Sequence, residues 1–343
     1  MMRLFSRHLF ACVLGGAIMA GSLMAVSGAE HTAYGPELEG FTYPYEVHRF
    51  EFKSQRQNIA MAYTDVAPSA PNGRTAVLLH GANFCAATWG ETIEVLRQAG
   101  YRVIAPDQIG FCKSSKPESY QFTLQQLATN TNELLTSLGI RRATVVGHSM
   151  GGMLAMRYAL MFPDAVEQLV LVDPLGLEDW QAQGVPFIPL DQSYQAEMRT
   201  SFDSIKQYQQ KFYYAGEWKP EYDRWVDMLG GMYAGPGTDV VAWSRARLAE
   251  MIFTQPVVYE LEHIRPPTLL LIGQKDRTAP GATRAPSEVA GKLGNYPALG
   301  RAAAKRIPHA TLVEFPELGH APQIQAPAQF HEALLKGLAA LAR

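Results

Sequence analysis

The feature that most restricts this chain is a strict alternation of short, unbroken apolar runs with segments of helical spacing. Thr75–Leu79 reads TAVLL, Arg102–Ala105 reads RVIA, and Ala143–Val146 and Gln168–Val172 (QLVLV) follow. Helix-spaced segments separate them at Thr88–Gly100, Thr123–Leu138 and Met150–Met161. A run with no polar alternation reads as a strand covered on both faces. Such strands joined by helices imply right-handed crossovers and an α/β fold with a mostly parallel central sheet flanked by helices. Ligands on such sheets bind beyond the carboxyl ends of the strands. Ahead of this core, Val47–Lys53 and Asn58–Val66 read as a strand pair.

The rhythm stops near Leu175 and resumes at Thr268–Ile272 (TLLLI), Thr311–Phe315 (TLVEF) and a last helix, Pro327–Leu341. Residues 175–265 hold helical stretches rich in aromatics, Tyr208, Phe212, Tyr213, Tyr222 and Trp243 among them, and no convincing buried strand. The organisation expected is a core at 30–174 and 266–343 with a helical cap inserted at 175–265.

The start of the chain carries an address. Arg3 and Arg7 precede an apolar run from Leu9 to Val26, and the small residues Ser27, Gly28 and Ala29 follow. This is the pattern of a secretory signal peptide, with cleavage expected after Ala29 and the product periplasmic or secreted. Gly15, Gly16, Gly21 and Ser22 interrupt the run as a membrane anchor, so no stable anchor is expected after cleavage. The whole chain has 343 residues and a net charge of −2. With no basic stripe, nucleic acid is excluded as the expected partner.

Residues 147–152 read GHSMGG, a Gly-x-Ser-x-Gly pattern set between a predicted strand and a predicted helix. That context makes Ser149 the candidate nucleophile, on a turn whose flanking positions have no room for a side chain. A serine hydroxyl needs an imidazole to take its proton. His320, in LGHAPQ, follows the strand Thr311–Phe315 and precedes the last helix, and it is the candidate base. His331 lies inside that helix and His309 precedes the strand; both read as surface residues. The candidate acid is Asp276, in IGQKDRTAP after Thr268–Ile272, with Asp173 at the end of the previous strand as its rival. Two N–H donors should meet the developing oxyanion. Met150 supplies one, and Ala82 in the HGANF loop, with Asn83 as second choice, supplies the other. Asn83, Phe84 and His148 are candidate substrate contacts. His148 also reads as a packing neighbour, and His80 as a brace for its loop.

HGANF, APDQIGFCKSSKP, GHSMGG, LLLIGQKD and ELGHAPQ together make the chain resemble the α/β-hydrolase family, in its single-chain capped branch, over roughly Val47–Leu341. The resemblance implies acyl transfer to water without metal or organic cofactor. The expected substrate is a small ester, apolar or aromatic if the cap aromatics face it. Relatives that use an aspartate nucleophile are set aside by Ser149. For Asp107 the resemblance implies a structural role in a loop near the pocket. Cys85 lies in the oxyanion loop and Cys112 in the loop after the next strand, and a disulfide between them is expected. Asp276 and His320 stand farther apart than is usual in the family. The intervening excursion, 280–305, reads as a surface insertion, helical near Ala302–Arg306. Two other functions fit the same scaffold: a cofactor-free perhydrolase or carbon–carbon bond hydrolase on the same triad, and a binding protein with no catalysis.

Overall fold

A computed structural model of the protein describes residues 31–342; the expected export segment at 1–29 lies outside them. Eight strands form one sheet: β1 (His48–Ser54), β2 (Gln57–Val66), β3 (Thr75–Leu79), β4 (Arg102–Pro106), β5 (Ala143–His148), β6 (Val166–Val172), β7 (Thr268–Gly273) and β8 (Ala310–Phe315). Their spatial order is β1-β2-β4-β3-β5-β6-β7-β8. The first two are a hairpin closed by Gln55 and Arg56, both at positive φ (47° and 64°), as the right-handed twist of a two-residue turn requires. β2 joins β4 antiparallel, and every later pairing is parallel. β5 and β7 are buried along their whole length, which is why they read as unbroken apolar runs. The outer strand β8 is mostly half-exposed.

The chain leaves β3 for β4 on one side and returns to place β5 on the other. The order in which strands are added therefore reverses between β3 and β5, the place where such sheets open a crevice at their carboxyl ends. Helices α1 (Gly90–Gln98), α2 (Leu124–Ser137) and α3 (Met150–Met161) make the crossovers. The expected first helix begins later than its spacing implied, because Ala86–Trp89 winds as a tighter 3₁₀ turn first.

Every regular element between β6 and β7 is helical: α4 (Leu190–Glu197), α5 (Phe202–Tyr208), a π-helical turn (Gln209–Tyr213), α6 (Asp223–Ala234), α7 (Thr238–Thr254) and short 3₁₀ turns. Beyond β7 come α8 (Ser287–Ala290), α9 (Tyr296–Arg306), α10 (Pro322–Gln325) and α11 (Pro327–Leu341). No helix among the described residues is long and apolar enough to cross a membrane.

Two expectations need correction. The excursion at 280–305 is not a bland surface insertion. Leu293 and Tyr296 are buried, the Gly294 N–H donates to Glu178 Oε1 at 2.9 Å, and the Tyr296 hydroxyl donates to the Pro174 carbonyl at 3.2 Å. Its helix, α9, packs so tightly on β7 that a Cβ on Gly300 would lie 3.0 Å from Ile272. His331 is not a surface residue either. It is buried on α11, pairs with the Thr92 hydroxyl on α1 at 3.0 Å, and burial lowers its pKa to about 4. His309 is exposed.

Candidate active site

Ser149 sits at the tip of the turn from β5 into α3, with φ 56° and ψ −120°. A non-glycine residue held there stores on the order of 1–3 kcal/mol, so the surroundings must enforce it. They do: the Ser149 N–H donates to the Val172 carbonyl and the Leu175 N–H to the Ser149 carbonyl, each at 3.0 Å. The flanking glycines are required by space. A Cβ on Gly147 would lie 2.2 Å from the Gly151 carbonyl oxygen, and one on Gly151 would lie 2.1 Å from that of Leu79.

His320 and Asp276 arrive from the loops after β8 and β7. The Ser149 hydroxyl donates to His320 Nε2 at 2.8 Å, and His320 Nδ1 donates to Asp276 Oδ2 at 2.6 Å. The other carboxylate oxygen of Asp276 accepts the Thr278 N–H at 2.7 Å. Ser149 is 2% exposed, His320 and Asp276 0%. The imidazole has one acceptor and one donor position, and the two partners fix which nitrogen carries the proton.

Asp173 is buried beside Asp276 and does not reach the histidine. Its Oδ1 accepts the Gly273 N–H at 2.9 Å. Burial first, and then the Asp276 charge, push its carboxyl well above the usual range, against the opposing effect of the Gly273 N–H. Asp173 thus holds its proton more tightly than an ordinary carboxyl, next to the carboxylate that orients His320.

On the β3 side, His80 takes the Gln108 N–H on Nε2 at 3.0 Å, so its Nδ1–H donates to the Gly81 carbonyl at 2.9 Å. It braces the HGANF loop as expected. Neither the Ala82 nor the Met150 N–H meets a backbone or side-chain acceptor among the described residues. Asp107 takes the Ala86 N–H at 2.7 Å, the Tyr43 hydroxyl at 2.6 Å and the Lys113 N–H at 3.1 Å, which ties the two loops together. Cys85 and Cys112 form a disulfide between the same loops.

Two expected substrate contacts are placed as supports instead. His148 is buried with its ring 5.0 Å from that of His320, and its Nε2–H donates to the His320 carbonyl at 2.7 Å. Burial, then the neighbouring His320, lower its pKa well below the ordinary value, so it stays neutral. Phe84 packs on His148 and Tyr213 and is 1% exposed. Asn83 remains partly accessible, its Nδ2 donating to the Tyr213 hydroxyl at 2.9 Å.

A family model described as the alpha/beta hydrolase family matches residues 76–333. The chain belongs to that family. It is similar to a structurally characterised probable hydrolytic enzyme from Pseudomonas aeruginosa: 62% identity, TM-score 0.89, with 90% of this chain and 99% of that one covered. An uncharacterized protein of Mycobacterium tuberculosis is 38% identical over 108 residues, which is 32% of this chain and 31% of that protein. The alignment thus spans about a third of the length of that curated relative. A putative carbamate hydrolase from Stutzerimonas stutzeri is 26% identical over 276 residues, 78% of this chain and 93% of that protein.

Several residues of the site carry no motif. Tyr213 and Tyr296 set their rings 5.0 and 5.8 Å from that of His320. The Phe212 and Tyr213 carbonyls accept the His320 and Ala321 N–H groups, both at 3.2 Å. Arg245, from the middle of α7, reaches the Ala82 carbonyl and Asn83 Oδ1. The only local signal for Phe212 and Tyr213 is the aromatic density of 208–214.

Proposed function

We propose that this protein is a serine hydrolase that cleaves carboxylic esters through an acyl-enzyme on Ser149. The observation that carries this reading is the unbroken line from Asp276 through His320 to the Ser149 hydroxyl, 2.6 and 2.8 Å per link. Ser149 Oγ attacks the ester carbonyl while its proton passes to His320 Nε2. The carboxylate of Asp276 stabilises the imidazolium that forms. The oxyanion is met by the N–H groups of Met150 and Ala82, which have no other acceptor among the described residues. His320 then returns the proton to the leaving alcohol. Water, deprotonated by the same imidazole, releases the acid. His148 and His80, held neutral by burial, add no competing charge near the base.

A panel of 4-nitrophenyl acyl esters of graded length, with matching amides, tests this reading. Turnover of esters that disappears in Ser149→Ala supports it. A wild-type protein that hydrolyses none of them contradicts it, and turnover of peracid or carbon–carbon substrates alone would point to the other chemistries this triad allows.

We also propose that the protein is exported and loses residues 1–29. The Cys85–Cys112 disulfide supports this, since such bridges persist in oxidising compartments. Protein recovered from the periplasm or medium should begin at Glu30; recovery of full-length chain from the cytoplasm alone would refute it.

A further inference from the structure

We infer that the guanidinium of Arg245, on cap helix α7, receives a carboxylate carried by the substrate, so that the esters cleaved are those with a free acid group near the scissile bond. This names the substrate class of the serine hydrolase proposed above and rests on that reading.

Arg245 is held against the oxyanion loop. Its Nη1 donates to the Ala82 carbonyl and its Nη2 to Asn83 Oδ1 at 2.6 Å. The preceding residue, Gly81, is so near the nucleophile that a Cβ there would lie 3.1 Å from that of Ser149. The cation is therefore fixed within a few residues' breadth of the reacting carbonyl. Yet among the described residues no carboxylate oxygen lies within 4.0 Å of it, whereas Arg97, Arg102 and Arg157 each hold one directly. Both acceptors named are neutral, and its Nε–H is shielded from water with no partner at all. Glu197 stands behind the Tyr233 hydroxyl, and that pair keeps Arg245 protonated against the effect of burial.

A guanidinium withdrawn from water without a direct anion is unfavourable, and a carboxylate in its fork forms two charge-assisted hydrogen bonds. Arg245, Tyr208, Ala82 and Asn83 each keep accessible surface, so the cation can be approached from that side. The polar atoms of Tyr208, Tyr213 and Asn83 beside it are neutral, and the acidic group that acts on the cation, Glu197, does so from behind the Tyr233 hydroxyl.

The test compares wild type with Arg245→Gln and Arg245→Lys on two shape-matched ester pairs, with spontaneous hydrolysis subtracted. One pair is 4-nitrophenyl glutarate against 4-nitrophenyl 5-methylhexanoate, charged on the acyl side. The other is 4-acetoxybenzoate against 4-isopropylphenyl acetate, charged on the alcohol side. The expected result is a kcat/KM ratio favouring the charged member of at least one pair by about tenfold to a hundredfold in wild type, the range of a hydrogen bond to a charged group. In Arg245→Gln that ratio falls to near one, and Arg245→Lys keeps part of it. Glutarate should also slow fluorophosphonate labelling of wild type more than of Arg245→Gln. Ratios near one in wild type for both pairs, or a ratio the variants leave unchanged while both members slow together, overturn the inference and leave Arg245 as a strut for the oxyanion loop. If wild type turns over no ester and Ser149 is not labelled, the serine-hydrolase reading itself has failed, and this inference with it.

Discussion

The loops at the carboxyl edge of the sheet and the cap above them are held by different means. At the edge, backbone meets backbone with almost no slack. A Cβ on Gly273 would lie 2.1 Å from the Gly319 carbonyl oxygen, so the loops bearing Asp276 and His320 are pressed together. In the cap, rings hold position: Tyr214 stacks on Tyr222 with centroids 3.7 Å apart, and Trp218 meets both edge-on. The two regions meet where carbonyls of the π-helical turn accept N–H groups of the His320 loop, and again where α7 donates from Ser244, Arg245 and Arg247 to loop carbonyls of the core. Groups that move protons are thus placed by parts that cannot relax, and the roof over them is made of parts that can repack. Apolar ring packing tolerates changes of shape that a backbone clash does not.

The sharpest way to break this contrast is to alter the edge. Ser149→Ala or His320→Ala should lower kcat by about 10⁴-fold or more, while thermal midpoints change little. Asp276→Asn should lower kcat by about 10⁴-fold, because an amide no longer fixes the imidazole tautomer. Asp173→Asn, one strand away, should keep activity within about tenfold of wild type, since an amide preserves acceptance from Gly273. Steady-state kinetics on one ester settles the ranking, and equal losses at the two aspartates would erase the distinction drawn between them.

Stability offers the next test. The disulfide closes a separation of 27 residues, and on the chain-entropy account its removal costs about 3–4 kcal/mol. Cys85→Ser with Cys112→Ser should therefore melt well below wild type, and reductant should reproduce the drop. Asp173 gives a pH signature. Its folded pKa is raised, so between the ordinary carboxylate value and that raised one the folded chain keeps a proton the unfolded chain has lost. Stability falls as pH rises through that window. Asp173→Asn should raise the melting temperature at pH 8, by a gain that shrinks toward pH 4. The smallest effect belongs to the cap: the buried Tyr214 hydroxyl has no partner, so Tyr214→Phe should shift the melting temperature by no more than about 2 °C. A large loss there would mean that the cap is as exacting as the edge.

The edge was legible in the sequence because its residues fall into short motifs at the ends of readable strands. The glycines around Ser149 sit at fixed spacing, Gly147 against the Gly151 carbonyl four positions on and Gly151 against that of Leu79 on β3, and the order Ser149, Asp276, His320 follows from strands that read as apolar runs. The cap was not. Arg245 occupies an ordinary helical position, and nothing local distinguishes an arginine turned toward the oxyanion loop from one turned to solvent. The excursion at 280–305 looked like surface because Ala, Gly and Pro dominate it. Its fixed points, Leu293, Gly294 and Tyr296, find their partners more than a hundred residues upstream or across the sheet. Phe84 and His148 were rightly placed near the serine, but their direction, behind it, depends on packing that spacing does not encode.

The central claim is that one serine, primed by one imidazole, does the chemistry. Fluorophosphonate labelling followed by peptide mass mapping tests it most directly. A single stoichiometric adduct on the peptide bearing Ser149, lost in His320→Ala although that variant remains folded, is the predicted result. No adduct, or an adduct on another residue at equal rate in both proteins, would contradict it.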